Sequence, residues 1–292
     1  MTRSYLVGLI GAGIGSSLSP SLHEDEAAAL GLRYLYRRID IDRLGVPPEQ
    51  AGALVRRAQD LGFDALNITH PCKQTVLDEL DELSPDAALL GAVNTVIFHD
   101  GRAVGHNTDH SGFTAALRDG LPGADLGRVV LLGCGGAGIA VGYALLNARV
   151  AELCILDPDQ RKARALMDAL VPAFPESKIR AIDPPELESA VDSATGLVNA
   201  TPIGMDGHAG MPLREEYLHP RLWVVDAVYR PVRTQLIHAA EAVGCRTLDG
   251  GRMVVGQAAD TFQLITGVLP DRERMRRDFL ALRAGKDLTT TG

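Results

Sequence analysis

The sequence predicts an α/β protein of two domains: an N-terminal α/β domain, and a second domain on a parallel sheet, with C-terminal helices that pack back on the first. Three observations carry this. Strand-length apolar runs alternate with helix-length segments along the chain. From Arg128 onward the strand runs are apolar throughout, as in "VVLLG", "LCILD" and "WVVDAVY", which marks strands buried on both faces. The helices over about 252–284 precede no further strand, so their apolar faces need a surface elsewhere in the chain.

Composition sets the outer limits. The 292 residues are 46% hydrophobic and 23% charged, a globular balance with room for two domains. The net charge of −8 and the lack of a basic run argue against nucleic acid as a partner. Cys72, Cys134, Cys154 and Cys245 are scattered without paired spacing, which suits buried free thiols in a reducing cytoplasm. Arg3 precedes a short apolar run, but no small-residue cleavage site follows it. The uncharged stretch Val129–Ala148 is long enough to span a membrane, yet it holds five glycines. It reads as strand, turn and helix, so no membrane partner is expected.

The first third supplies a strand in "YLVGLIG" (5–11) and a helix in "SPSLHEDEAAALG" (19–31), with Ser19 as cap and Pro20 at its first position. "LYRRIDI" is a strand, 47–62 a helix closed by glycine, and "ALNIT" (65–69) a short strand. A helix is predicted around 74–82. "AVNTVIFHDG" and "RAVGHNTD" pair as a hairpin about Asp100–Gly101. A domain boundary is expected near 112–127, where "RDGLPGADLG" is loop-like, and divides the chain into 1–115, completed by the helices 252–284, and 116–251. The second part reads strand, helix 137–148, strand, helix 159–170, strand near 179–182, helix 185–194, then two strands, "GLVNAT" and "WVVDAVY" (223–229). The tail "AGKDLTTTG" is expected to fray.

Two turns are rich in glycine. "VVLLGCGGAGIAVGYALLNARVAELCILD" has Gly133, Gly135 and Gly138 at G-x-G-x-x-G spacing between strand and helix, and Asp157 closing the next strand. This is the Rossmann-type dinucleotide fingerprint: a tight turn, close approach of the pyrophosphate, and helix–strand packing, with helix N–H groups facing the phosphates. Asp157 can accept from ribose hydroxyls and repels a 2′-phosphate, so the sequence favours NAD over NADP. The opening "LVGLIGAGIGSSLSPSLH" has Ser16 at the third-glycine position and a longer, hydroxyl-rich loop. Ser17 and Ser19 there suit a small carboxylate, or serve simply as loop serine and helix cap.

Polar clusters sit at the ends of first-domain strands: "NITHPCK" (67–73), "GAVNT" (91–95) and "GHNTD" (105–109). Lys73 and Asp109 form the evident acid–base pair, or else a solvated lysine and a helix cap. Asn67, Thr69, Asn94 and Asn107 are neutral hydrogen-bonding groups suited to a polyhydroxylated substrate. His106 and His110 stand four apart around Asp109, but the segment lacks the H-E-x-x-H pattern, and no metal is expected. His23 is expected to pack against the helix that starts at Ser19.

Seven blocks in order resemble the shikimate dehydrogenase family across nearly the whole chain. They are S-L-S-P-x-x-H, N-I-T-x-P-x-K, G-A-V-N-T, G-x-N-T-D, G-x-G-G-A-G, N-A-T-P-x-G-M and D-G-x-x-M-x-x-x-Q. The "NITHP" form and Asp157 look most like its NAD-dependent quinate/shikimate dehydrogenases. The resemblance implies that Ser17 and Ser19 hold a substrate carboxylate and that Thr69, Asn94 and Gln257 bind ring hydroxyls. Lys73 and Asp109 would flank the hydroxyl that is oxidised. It implies a dinucleotide on Gly133, Gly135, Gly136, Ala137, Gly138 and Asp157, with Thr201, Pro202 and Met205 on the nicotinamide side and Tyr229 at the edge. Cys134 departs from the alanine common at that turn. The implied reaction is reversible NAD-dependent oxidation of quinate or shikimate to the 3-dehydro acid, by a monomer or homodimer. Two alternatives remain open: a dehydrogenase of a related cyclic polyol or aminoshikimate, and a non-catalytic NAD or quinate sensor. A sensor would be expected to lack Lys73 or Asp109.

Overall fold

The computed structural model describes residues 3–289. The chain forms two compact units, one made of the residues up to Thr108 and those from Gln257 onward, the other of Asp109–Gly256. These borders stand several residues from the expected 115/116 and 251/252.

The first unit contains β1 (Ser4–Gly11), α1 (Ser19–Ala29), β2 (Arg33–Asp40), α2 (Ile41–Leu44), α3 (Ala51–Asp60), β3 (Ala65–Ile68), β4 (Glu82–Leu83), α4 (Pro85–Leu90), β5 (Thr95–His99) and β6 (Arg102–His106). Its mixed sheet has the order β2-β1-β3-β5-β6-β4. The β5–β6 hairpin closes on Asp100 and Gly101, both at positive φ (49° and 76°), as a two-residue type I′ turn requires. One face of the sheet packs Ile10, Leu66 and Ile68 on Leu54, Val55 and Ala58 of α3.

Of the helix expected around 74–82 only a 3-10 turn forms, Leu77–Glu79. Asp81 accepts from the Ala103 amide at 2.6 Å and from Arg56, and Asp81 N–H donates to Ala103 O. Those contacts draw the chain out as β4 beside β6, and a tertiary pairing overrides the local helical pattern.

The second unit contains α5 (Asp109–Gly120), β7 (Arg128–Leu132), α6 (Gly136–Asn147), β8 (Glu152–Leu156), α7 (Gln160–Leu170), β9 (Lys178–Ala181), α8 (Leu187–Asp192), β10 (Gly196–Asn199), β11 (Trp223–Asp226), α9 (Gln235–Val243) and β12 (Arg246–Leu248). Helix α5 occupies the first part of the expected boundary region 112–127, because Phe113, Ala116 and Leu117 are buried along it, and the loop-like stretch runs from Leu121 to Gly127. The six strands are all parallel, in the order β12-β11-β10-β7-β8-β9. Numbered within the unit this is 3-2-1-4-5-6, the Rossmann arrangement, whose switch point lies between β7 and β10.

The last helices are α10 (Gly250–Thr266) and α11 (Arg272–Thr289). Within the first unit, Phe262 and Ile265 of α10 fill the sheet's other face against Tyr5, Val7, Leu9, Tyr34 and Tyr36. Buried Glu26 of α1 accepts two bonds from Arg274 of α11, at 2.8 and 2.7 Å, and one from the Asp271 amide. The tail expected to fray is helical through Thr289; residues 290–292 lie outside the described residues.

His23 of α1 lies in this core, 1% exposed. It meets Tyr34, Tyr36 and Phe262, with Nδ1 3.1 Å from the Tyr34 hydroxyl. Burial pushes its pKa down to about 3 from 6.5. The unfolded chain therefore binds the extra proton first, and stability is lost as pH falls below 6.5 toward 3. Chemical denaturation at pH 6.5 and pH 5 should show wild type losing about 2 kcal/mol more than His23→Gln, at about 1.4 kcal/mol per pH unit. Equal losses in the two proteins would mean that His23 does not carry this effect.

Candidate active site

In the first unit the loop after β1 is held by backbone contacts and by β2. A Cβ added at Gly11 would stand 2.3 Å from Thr69 Cγ2, so the missing side chain lets the two loops meet. Ala12 N–H donates to His70 O at 3.1 Å, and Thr69 N–H to Ile10 O at 2.9 Å. Buried Asp40, at the end of β2, accepts from the amides of Gly13, Ile14 and Asp42 at 3.1–3.2 Å. Gly13 itself is left-handed, with φ 61°.

The loop ends on Ser17 and Ser19, both half-buried. Ser19 is not the cap that the sequence suggested. Leu18 occupies the N-cap without a side-chain bond, and Ser19 is the first helical residue. With Pro20 second in the helix, one orphan N–H of the first turn is absent. The Ser19 hydroxyl receives a bond from Ser17 Oγ at 3.3 Å, and Ser17 Oγ accepts the Ser19 amide at 3.3 Å. Two hydroxyls thus converge at the entry of α1.

Lys73 is half-buried in the turn after the cis His70–Pro71 bond. Its carbonyl accepts from the Val93 amide at 2.8 Å, which ties "NITHPCK" to "GAVNT". Asn94, 2% exposed, accepts from the Thr108 amide at 2.8 Å and donates to Thr108 Oγ1 at 3.0 Å. Asn67 accepts from the Tyr36 hydroxyl at 2.6 Å and donates to Thr95 Oγ1 at 3.2 Å. Thr261 of α10 joins Thr95 and Thr108 through its hydroxyl, at 3.1 and 2.9 Å. Gln257 precedes Thr261 by one helical turn on the same face. Sequence reasoning missed Asp40 and Thr261, since neither stands in a motif and their partners are 26 and 153 residues away at the shortest contacts.

In the second unit the glycine turn and "NATPIGM" follow β7 and β10, the strands that flank the switch point. The glycines divide by role. Gly133 has φ 96°, and a Cβ there would stand 2.9 Å from the backbone of Ala200 and Thr201. A Cβ at Gly138 would lie 2.0 Å from Gly133 O. These two are required by the fold. Gly135, Gly136 and Ala137 are exposed, and a Cβ on either glycine meets no atom of the chain within 4 Å. Gly135 caps α6 without a side-chain bond. An open backbone cradle at an uncapped helix N-terminus fits a dinucleotide pyrophosphate.

Asp157, half-buried, accepts from the Cys134 amide at 2.8 Å and the Asp159 amide at 2.9 Å, one on each oxygen. Each oxygen keeps a lone pair for a further donor. The Cys134 thiol is pushed up to about 12 by burial and by the Asp157 charge. In the "NATPIGM" loop, Asn199 Oδ1 accepts the Thr201 amide and hydroxyl at 3.0 and 2.7 Å. Fully buried Asp226 accepts from Asn199, Thr234 and the Val228 amide, while burial raises its pKa. Pro202, Met205 and Tyr229 are exposed. Asp109, 4% exposed, opens α5, and His110 packs edge-on against Tyr143. Among the described residues no cluster of three or more His, Cys, Asp or Glu is placed to hold a metal. No described helix is long and apolar enough to cross a membrane.

The Rossmann-type unit and its glycine turn define a dinucleotide-binding protein of the α/β class. Residues 9–96 match the family model described as the shikimate dehydrogenase substrate binding domain. The chain is 57% identical over 279 residues, covering 96% of each chain, to a protein of Streptomyces avermitilis named shikimate dehydrogenase (NADP(+)). It is 48% identical over 280 residues, 96% of this chain and 99% of the other, to the quinate/shikimate dehydrogenase (NAD(+)) of Corynebacterium efficiens. The solved structure of quinate dehydrogenase from Corynebacterium glutamicum in complex with NAD superposes with a TM-score of 0.91 at 45% identity, over 95% of this chain and 99% of that one. The chain belongs to the shikimate dehydrogenase family.

The two kinds of glycine should respond differently to alanine. Gly138→Ala should lower folding stability by about 2 kcal/mol or more, as read from urea unfolding. Gly135→Ala should change stability by less than about 1 kcal/mol yet weaken dinucleotide binding measured by calorimetry. Tight binding by the Gly135 variant would show that the pyrophosphate does not approach there.

Proposed function

We propose that this chain is an NAD-dependent quinate/shikimate dehydrogenase, oxidising a ring secondary alcohol reversibly to the 3-dehydro acid. What supports the reading is that Ser17, Ser19, Thr69, Lys73, Asn94 and Gln257 all belong to one unit, with the two serine hydroxyls paired at a helix entry, in a chain of this family. Two hydroxyls at a helix N-terminus suit a carboxylate. Neutral amide and hydroxyl groups suit ring hydroxyls.

Oxidation of the alcohol removes a proton from oxygen and a hydride from carbon. Bound at the glycine turn, with Thr201, Pro202, Met205 and Tyr229 toward its nicotinamide end, the dinucleotide supplies the hydride acceptor. The proton falls to Lys73 and Asp109. Lys73 Nζ accepts it as the neutral amine. Asp109 has the role of orienting the lysine and the substrate hydroxyl.

The relatives include proteins named for NADP and for NAD, so the choice of NAD rests on the residues after β8. The Asp157 carboxylate would repel a 2′-phosphate carrying about −1.5 to −2 charge. Arg161, the nearest arginine in sequence, pairs with Asp159 through Nε and Nη2, both at 3.0 Å. Its charge is already answered by a carboxylate.

Nicotinamide absorbance during oxidation of quinate and of shikimate, each with NAD and with NADP, tests the reading. Turnover of at least one acid is expected, with kcat/KM for NAD at least tenfold above NADP, a difference of about 1.4 kcal/mol. Lys73→Ala should lower kcat by about 10²–10⁴. Comparable rates with NADP would remove the ribose role from Asp157. Turnover of neither acid would overturn the substrate assignment.

A further inference from the structure

Arg38 lies outside every motif in the sequence. It stands on β2, an edge strand of its sheet, two residues before Asp40 and therefore on the same face of the strand. These two side chains clamp the loop that carries the serines. Asp40 holds its start through the Gly13 and Ile14 amides. Arg38 holds its end, with Nη2 donating to Ser17 O at 2.8 Å.

The two charges are used differently. Asp40 is buried, and three backbone N–H groups satisfy it. Arg38 is exposed, and among the described residues no carboxylate lies within ion-pair distance of it. A surface arginine is commonly paired or free to move. This one is fixed by a single hydrogen bond with its charge unanswered. The guanidinium is thereby tied to the backbone of Ser17, the residue that carries the first of the two paired hydroxyls.

Those hydroxyls are neutral. They can orient a carboxylate but cannot answer its charge. The geometry points to Arg38 as the residue that selects for a carboxylate on the substrate: it supplies the positive field that draws the anion to Ser17 and Ser19, while its bond to Ser17 O keeps that field in register with the hydroxyls. This deepens the reading of a quinate or shikimate substrate and rests on it. The required chemistry is a small hydroxylated carboxylic acid; a neutral polyol gains nothing from Arg38.

Steady-state kinetics of wild type, Arg38→Gln and Arg38→Lys test the assignment, with quinate and shikimate at about 0.02 M and 0.3 M salt, where screening differs severalfold. Glutamine keeps an N–H donor for the Ser17 carbonyl and removes the charge; lysine keeps both. Arg38→Gln should raise KM for the acid by about tenfold at low salt, with kcat and the dinucleotide KM within about twofold. The gap to wild type should narrow at high salt, and Arg38→Lys should recover most of the salt dependence. An unchanged KM and salt slope in Arg38→Gln would overturn the assignment. So would a rise in KM that is the same at both salt concentrations and is not recovered by lysine, which would leave Arg38 a loop anchor only. Failure of wild type to turn over either acid would instead overturn the proposed function, and this inference with it.

Discussion

The first unit depends on burial of a sheet face that its own N-terminal residues leave uncovered. Side chains on β1 alternate, so Tyr5, Val7 and Leu9 face one way and Ile10 the other. Helix α3 covers the Ile10 side. The opposite side is closed by α1 and by Phe262 and Ile265 of α10, which arrive only after the whole second unit has been threaded. Fully burying side chains of that size is worth roughly 1.5–3 kcal/mol each. The chain is therefore not two domains in succession. Its beginning and end share one core, fastened at Glu26 by a bidentate guanidinium and an amide, which supply the hydrogen bonds that a buried carboxylate needs.

The same closure builds the polar side of the site. The helix that brings Phe262 to the core also brings Thr261 to the hydroxyls of Thr95 and Thr108. Asn94 and Asn67 are then satisfied almost wholly by neighbouring hydroxyl, amide and carbonyl groups. A buried network pays for its desolvation only when its members are paired. Once paired, it fixes the side chains around the place where ring hydroxyls are proposed to bind. Gln257, one turn earlier on α10, inherits its position from that docking.

Legibility in the sequence followed the range of the interactions. The glycine turn could be read because its spacing is local, with Gly138 packed on Gly133 O, although Gly133 also meets the distant Ala200 and Thr201. The Asp100–Gly101 hairpin was equally local. The helix predicted over 74–82 shrank to the 3-10 turn Leu77–Glu79 because a distant pairing of Asp81 with Ala103 and Arg56 decides the end of that segment. The sequence reading also passed over α4, α9 and β12, short elements whose apolar residues are spent on cores assembled from distant strands. Ser19 was misplaced by one position at the helix start, where Leu18 holds the cap. Asp40 and Arg38 left no local signal at all. Their partners lie on another strand's loop, and a strand ending in "RRID" looks like a solvated edge.

Asp157 shows how closely fold and recognition can share one group. Its carboxylate braces the glycine turn through the Cys134 amide and the entry to α7 through the Asp159 amide. The lone pairs left on those oxygens are the ones proposed to meet the ribose. Replacing Asp157 to admit a 2′-phosphate would remove the repulsion and also an acceptor that the turn uses. An asparagine retains one oxygen and would set an N–H₂ group against one of the two amides. An alanine would leave both amides without their partner. The cofactor preference proposed for this chain is thus tied to the shape of the glycine turn, because the carboxylate proposed to meet the ribose also braces that turn.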